Sequence, residues 1–330
     1  MLLRKLRMSA LRVHLFGRIE AFVGPEKPAL EGRRLQELLA FLLIHRGHPW
    51  PREVLADSIW GEGDPEQLRK GLRQSLWKLQ SGADLRDGAF LVVDAEFVGV
   101  NPDCPLWLDV AEFEAAHDAA RGRRGVDLDD ATAAQLRAAT DLYRGDLLEG
   151  WYVDWCLPER ERLIGLHLAM LNKLSAWCAA RGRFQEGLAY AHRALQHDPA
   201  HERSHRHLMR LHHLSGDRCA AIRQYRHCVQ ALQEELGVDP DARTVSLFQQ
   251  IAGDALGPTF SEFAEGQGHS RSVFGASQLV AEFRSLRERL AVIEGRIGVV
   301  LADEPDFSGG ADTVQTSVKT PASYPVAIPG

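Results

Sequence analysis

Nowhere do the 330 residues approach the ~18 consecutive apolar positions that a membrane-crossing helix needs. The basic opening MLLRKLR is not followed by an apolar run of signal-peptide length either, so a cytoplasmic location is expected. Cysteine is scarce: Cys104, Cys156, Cys178, Cys219 and Cys228 are scattered, odd in number and never in C-x-x-C spacing. That excludes a zinc ribbon or disulfide framework and fits buried thiols in a reducing compartment. The chain also lacks a phosphate-binding G-x-x-x-x-G-K-[ST] loop and a G-x-S-x-G nucleophile elbow. No catalytic residue, cofactor or metal is assigned.

Hydrophobic residues make up 45% of the chain, enough for two or three globular domains. The net charge of −6 is unevenly placed. Residues 1–100 carry 15 Lys and Arg against 13 Asp and Glu, a balance of +2, and the other 230 carry −8. The acidic part is not expected to bind nucleic acid by itself.

The most informative stretch is WPREVLADSIWGEGDPEQLRKGLRQSLWKLQ, Trp50 to Gln80. Pro51 is placed at the first position of a short helix whose Val54, Leu55 and Ile59 form a buried stripe. Gly61-Glu62-Gly63-Asp64 ends it, and Asp64-Pro65 caps and opens a second helix. On that helix Leu68, Leu72, Leu76 and Leu79 share one face, while Gln67, Lys70, Arg73, Gln74 and Trp77 lie on the other. Arg69, Lys70, Arg73 and Lys78 face only Glu66 in charge. Such a side suits a DNA major groove, where Arg and Lys donate to guanine and Gln pairs with adenine. A solvated face on an ordinary amphipathic helix has the same pattern.

Around it, Leu11–Phe16 and Ile19–Val23 read as strands of a small antiparallel sheet, and Arg33–Arg46 as a strongly apolar helix. Phe90–Val93 and Phe97–Val100, joined by Asp94-Ala95-Glu96, read as a hairpin. Sheet, three helices and hairpin is the order of a winged helix-turn-helix. From Leu106 to Asp254 the pattern is helical throughout, with ARGRRGVD (Ala120 to Asp127) as an inter-helix linker. Two segments repeat at a spacing of 34, aligning Leu174 with Leu208, Gly182 with Gly216 and Gly187 with Ala221, which is the tetratricopeptide period. Asp130–Tyr143 and Cys156–Ala180 are expected to complete the stack, since about three helix pairs are needed for stability.

These segments together bring a family into view. GRRLQELLAFLLIHRG, REVLADSIWG, QLRKGLRQSLWKL, LDVAEFEAA, DLYRGDLLEGWYVDWCLPERERL and ELGVDPDARTVSLFQQI, in that order, resemble the Streptomyces antibiotic regulatory protein type of transcriptional activator. In that group an OmpR/PhoB-like winged helix precedes a bacterial transcriptional activator domain. The resemblance runs from Leu11 to about Ala255. It implies promoter DNA and RNA polymerase as partners, with Pro65–Gln80 as recognition helix. Gln67, Lys70, Arg73 and Gln74 would then face base edges, and Arg69 and Lys78 would lie near phosphates. Gly61, Glu62, Gly63 and Asp64 occupy the place of the polymerase-contacting loop. Asp94 and Glu96 depart from the pattern by putting negative charge at the wing tip, and Trp77 has no assured role, packing on the wing being one option.

His201-Glu202-Arg203-Ser204-His205 matches H-E-x-x-H, yet no third ligand follows at metalloprotease spacing, so these residues are expected on solvent at a helix start. Eight of the 14 histidines fall between His192 and His227. After a Gly- and Ser-rich linker, Leu279, Phe283, Leu286, Leu290, Ile293 and Ile297 recur at heptad steps. They suit self-association as a homodimer or a single helix packing back on the array.

The expected fold class is mainly α with a small β component. Its parts are a winged helix over 1–103, a tetratricopeptide-like array over 104–255, a linker over 256–276, a coiled-coil-like helix over 277–302 and a disordered tail over 303–330. The expected function is promoter-binding transcription activation. The rival is a tetratricopeptide adaptor whose winged helix does not bind DNA.

Overall fold

The computed structural model describes residues 11–25, 30–61, 63–81 and 90–253. Strand β1 (Leu11–His14) alternates buried Leu11 and Val13 with outward Arg12, and pairs antiparallel with β2 (Glu20–Val23), Leu11 opposite Val23 and His14 opposite Glu20. On its other side β1 accepts β6 (Leu106–Leu108) in parallel register, Leu11 opposite Leu106. Residues 106–108 are therefore strand, not the beginning of a wholly helical region. Their apolar run is too short for its period to separate strand from helix, and the edge of β1 supplied the missing hydrogen-bond partners.

Helix α1 (Arg33–Ile44) is buried almost all round, including Leu38, Leu39, Leu42 and Leu43. Each such side chain stabilises the fold by about 1.5–3 kcal/mol, which makes α1 the central post of the N-terminal half. Strand β3 (Trp50–Pro51) leads directly into α2 (Arg52–Trp60), so Pro51 is the N-cap and an edge-strand residue, not the first helical residue. With φ −59° and ψ 137° it is extended, as pairing with Phe97 on the wing requires. Helix α3 (Pro65–Ser81) follows, and β4 (Leu91–Val93) and β5 (Phe97–Val100) form the hairpin, in sheet order β3-β5-β4.

The remaining elements are helical: α4 (Asp109–Ala119), a 3-10 turn at Gly125–Asp127 inside the expected linker, α5 (Asp130–Leu142), α6 (Cys156–Ala180), α7 (Phe184–His197), α8 (Glu202–Leu214), α9 (Arg218–Leu236) and α10 (Ala242–Ala252). The 34-residue repeat has a direct physical counterpart. Gly182 and Gly216 turn the chain between paired helices at φ +69° and +86°, backbone that side-chain-bearing residues rarely adopt. Leu174 and Leu208 are fully buried at equivalent places. Asp129, Asp217 and Asp241 cap α5, α9 and α10 by accepting from Thr132, Ala220 and Arg243 backbone N–H groups. Helix α6 is long and apolar enough to cross a membrane on length and composition alone, but 67% of its most apolar window is buried inside the protein.

The N-terminal half and the array share one core, in which Leu15, Phe16 and Leu38 belong with Phe113, Tyr143 and Leu171. The main chain stitches them together. Leu148 N–H donates to Leu15 O at 2.9 Å and Glu149 N–H to Gly17 O at 2.8 Å, beside a bridge between Phe16 and Leu147. Buried Asp109 at the start of α4 accepts from the N–H groups of Leu15, Phe16 and Val110 at 2.8–3.0 Å. Trp155 lies edge-on to Phe41 at 5.3 Å, so the array also braces α1. The heptad residues Leu279, Phe283, Leu286, Leu290, Ile293 and Ile297, with the linker and the tail, lie outside the described residues.

Candidate nucleic-acid interface

Helix α3 is held from one side only. Leu72, Leu76 and Leu79 are buried and Leu68 half-buried, packing the helix on α1 and α2. Gly71 permits a close approach: a Cβ there would lie 2.8 Å from Trp60 Nε1, so a larger residue would have to displace the Trp60 ring or the helix. The helix start is set by Asp64, whose Oδ1 accepts from Glu66 N–H at 3.3 Å while its carbonyl accepts from Leu68 N–H at 3.0 Å. Gly61, at φ +77°, Gly63 and Asp64 are exposed in the tight turn before it, and Glu62 is outside the described residues.

The opposite side of α3 is open. Gln67, Arg69, Lys70, Arg73, Gln74, Trp77 and Lys78 are all exposed, the Trp77 side by 67%. An indole so open is not buried against the wing. A groove of about 620 Å³ runs between the first two turns of α3, the start of α2 and the wing. It gathers Arg52, Arg69, Lys70 and Arg73 against Glu53 and Glu66. Two of these, Arg52 and Glu53, were not singled out from sequence. Their signal was the charged pair directly after Trp50-Pro51, but only the β3–β5 pairing brings them to the groove.

Within the groove, Arg69 donates to Glu53 Oε1 at 2.6 Å, with both side chains well exposed, so its guanidinium leans toward α2. Lys70, Arg73, Gln67 and Gln74 stand clear of that pair. Arg52 fastens the wing in place: its N–H donates to Glu96 O at 2.8 Å and its guanidinium to Asp94 O at 3.0 Å. The wing-tip acid has a structural use. Asp94 Oδ1 accepts from the N–H groups of Phe97 and Glu96 at 2.6 and 2.8 Å, and these bonds hold its carboxyl below the usual carboxylate range. Its charge closes the turn while remaining at the surface.

Of the H-E-x-x-H residues only Arg203 lies on solvent: Ser204 and His205 are buried, and His201 and Glu202 half-buried. His205 is buried, its ring nitrogens engaged by Pro199 O at 2.8 Å and Gln224 Nε2 at 2.7 Å. His201 contacts Ser204 Oγ at 2.8 Å, and burial pushes its pKa down to about 4. Glu202 accepts from Asp241 N–H at 3.1 Å and from the Thr244 hydroxyl, so it joins α8 to α10. The repeat packing turned these residues inward because α8 is enclosed by α7, α9 and α10. Among the described residues no group of three or more His, Cys, Asp or Glu side chains is placed to hold a metal ion.

Residues 108–252 match the family model of the bacterial transcriptional activator domain. The regulatory protein AfsR of Streptomyces coelicolor is 27% identical over 304 residues, covering 91% of this chain and 30% of AfsR, so the chain spans about a third of that relative's length. The regulatory protein DnrI of Streptomyces peucetius is 25% identical over 251 residues, covering 73% of this chain and 92% of DnrI. A solved structure of Mycobacterium tuberculosis EmbR in complex with a low-affinity phosphopeptide superposes with a TM-score of 0.67 at 19% identity, over 82% of this chain and 71% of that one, a likeness of fold. The activator-domain match, together with relatives aligned over most of the chain, makes this chain similar to the Streptomyces antibiotic regulatory protein type of transcriptional regulators.

Proposed function

We propose that the protein is a sequence-specific, promoter-binding transcription activator acting in the cytoplasm. The observation that carries this reading is the one-sided burial of α3: its leucines are sunk into the core, and its cationic, amide-rich side is uncovered beside a basic groove and a wing. In this reading Gln67, Lys70, Arg73 and Gln74 meet base edges, and Arg69 and Lys78 meet phosphates. The exposed turn Gly61–Asp64 offers a contact for RNA polymerase, and the helical array offers surfaces for other proteins. The heptad residues from Leu279 to Ile297 would pair two copies on repeated half-sites. No catalytic role is assigned.

Binding to promoter fragments should weaken steeply with salt, by about 0.9 in the log–log slope for each phosphate neutralised. Arg73→Ala should cost about 1–3 kcal/mol at one base position and relax the preference there. The adaptor alternative draws on the acidic wing tip. It predicts absent or salt-insensitive binding, and that outcome would displace the present reading.

A further inference from the structure

The DNA-binding reading accounts for the cations and amides on α3 but leaves its largest exposed side chain without a task. Trp77 is 67% exposed, and the buried Leu76 beside it and Leu79 two residues on hold this part of the helix, so the indole is not needed for the core. It stands on the same open side as Lys70, Arg73 and Gln74, seven, four and three residues back, the spacing of one helical face. A single exposed apolar residue is ordinary on a protein surface. Here, however, the indole is set among Arg73, Gln74 and Lys78 on the face that would enter the groove. Its single N–H can reach only one acceptor, and most of its surface is apolar ring. Its broad apolar ring suits the one apolar group that base edges present in the major groove, the 5-methyl of thymine.

Resting on the DNA-binding reading, we infer that Trp77 is a specificity residue that recognises thymine through its 5-methyl group. The rise of 1.5 Å per residue puts Trp77 about 6 Å along α3 from Arg73, roughly two base-pair steps. The recognised thymine should therefore lie about two base pairs from the position at which Arg73 acts, toward the C-terminal end of α3. Burying one methyl against the ring should change Kd by about fourfold.

The test uses the full chain and a duplex selected by the wild-type protein from random sequence, with each thymine replaced in turn by uracil, which pairs identically but lacks the methyl. Wild-type protein should lose about three- to fivefold in affinity at one or two thymines. Trp77→Ala should bind the thymine and uracil duplexes alike, and Trp77→Phe, which keeps an aromatic face, should retain part of the discrimination. Exposure of the side chain makes both variants fold normally, which circular dichroism checks. Indifference of the wild type to every uracil, with salt-steep binding intact, overturns the inference while leaving the DNA-binding reading standing. So does an unchanged uracil penalty in Trp77→Ala. If no duplex is bound in a salt-dependent way, the DNA-binding reading fails and this inference falls with it.

Discussion

Asp109→Ala probes the joint between the winged helix and the array. The Asp109 carboxylate is buried and accepts from three backbone donors, two at the end of β1 and one at the start of α4. Alanine would leave the N–H groups of Leu15, Phe16 and Val110 without that acceptor. Each buried orphan costs about 1–3 kcal/mol. Against this, burial raises the Asp109 pKa in spite of the three donors, so removing the charge returns some desolvation energy. The net loss should be about 3–5 kcal/mol, a large share of the roughly 5–15 kcal/mol that holds a typical domain together. The raised pKa also sets a sign. The folded protein holds this proton more tightly than the unfolded chain, so this group's contribution diminishes as pH rises from the ordinary carboxylate range through the raised value. Urea unfolding followed by tryptophan fluorescence measures the loss, with Trp107 reporting locally through its contact with His14. Asp109→Asn keeps one acceptor oxygen and should lose less, about 1–3 kcal/mol. A loss below about 1 kcal/mol in the alanine variant would refute the claim that this carboxylate fastens the two halves.

Gly71→Ala should destabilise: overpacking against the Trp60 ring costs about 1–3 kcal/mol, more than the roughly 1 kcal/mol that alanine gains in a helix, and a rise in Tm would contradict the close approach. Glu53→Gln should free Arg69 from an exposed pair worth about 0.2–1 kcal/mol and raise affinity for non-cognate duplex by about two- to fivefold. That gain should vanish when Arg69→Ala is added; an equal gain in both backgrounds would deny the pairing a role. His167 is buried against Tyr143 with neither ring nitrogen hydrogen-bonded, and burial pushes its pKa down to about 3. The unfolded chain takes up this proton near pH 6.5 and the folded protein does not, so stability should be lost as pH falls from about 6.5 toward about 3, by up to ~1.4 kcal/mol per pH unit. His167→Leu should remove one proton from that dependence, which urea midpoints between pH 4 and 7 would reveal.

Much of the candidate site was legible because it depends on local chemistry. The leucines of α3 recur every three or four residues, Asp64-Pro65 marks its start, and Gly182 and Gly216 mark equivalent turns a fixed distance apart. None of these needs a distant neighbour to take effect. The misreadings all fell where a distant partner acted. Leu106–Leu108 became strand because β1 had an unpaired edge, and Pro51 became a strand-end cap because Phe97 lay opposite it. His205 went inward because Gln224 on the next helix was waiting for one ring nitrogen, while Pro199 O just before α8 took the other.

Periodicity, caps and charge along the chain were thus sufficient to specify which side of α3 is apolar, where the helices break and that the array repeats. Folding in three dimensions settled what shares a surface with that helix: Arg52 and Glu53 at its groove, Arg52 fastened to the wing at the Asp94 carbonyl, and a core continuous from Leu38 to Leu171. The division follows from range. Helical pattern is a property of neighbours three and four residues apart, whereas a groove, a pairing or a common core exists only between segments that the chain itself holds far apart.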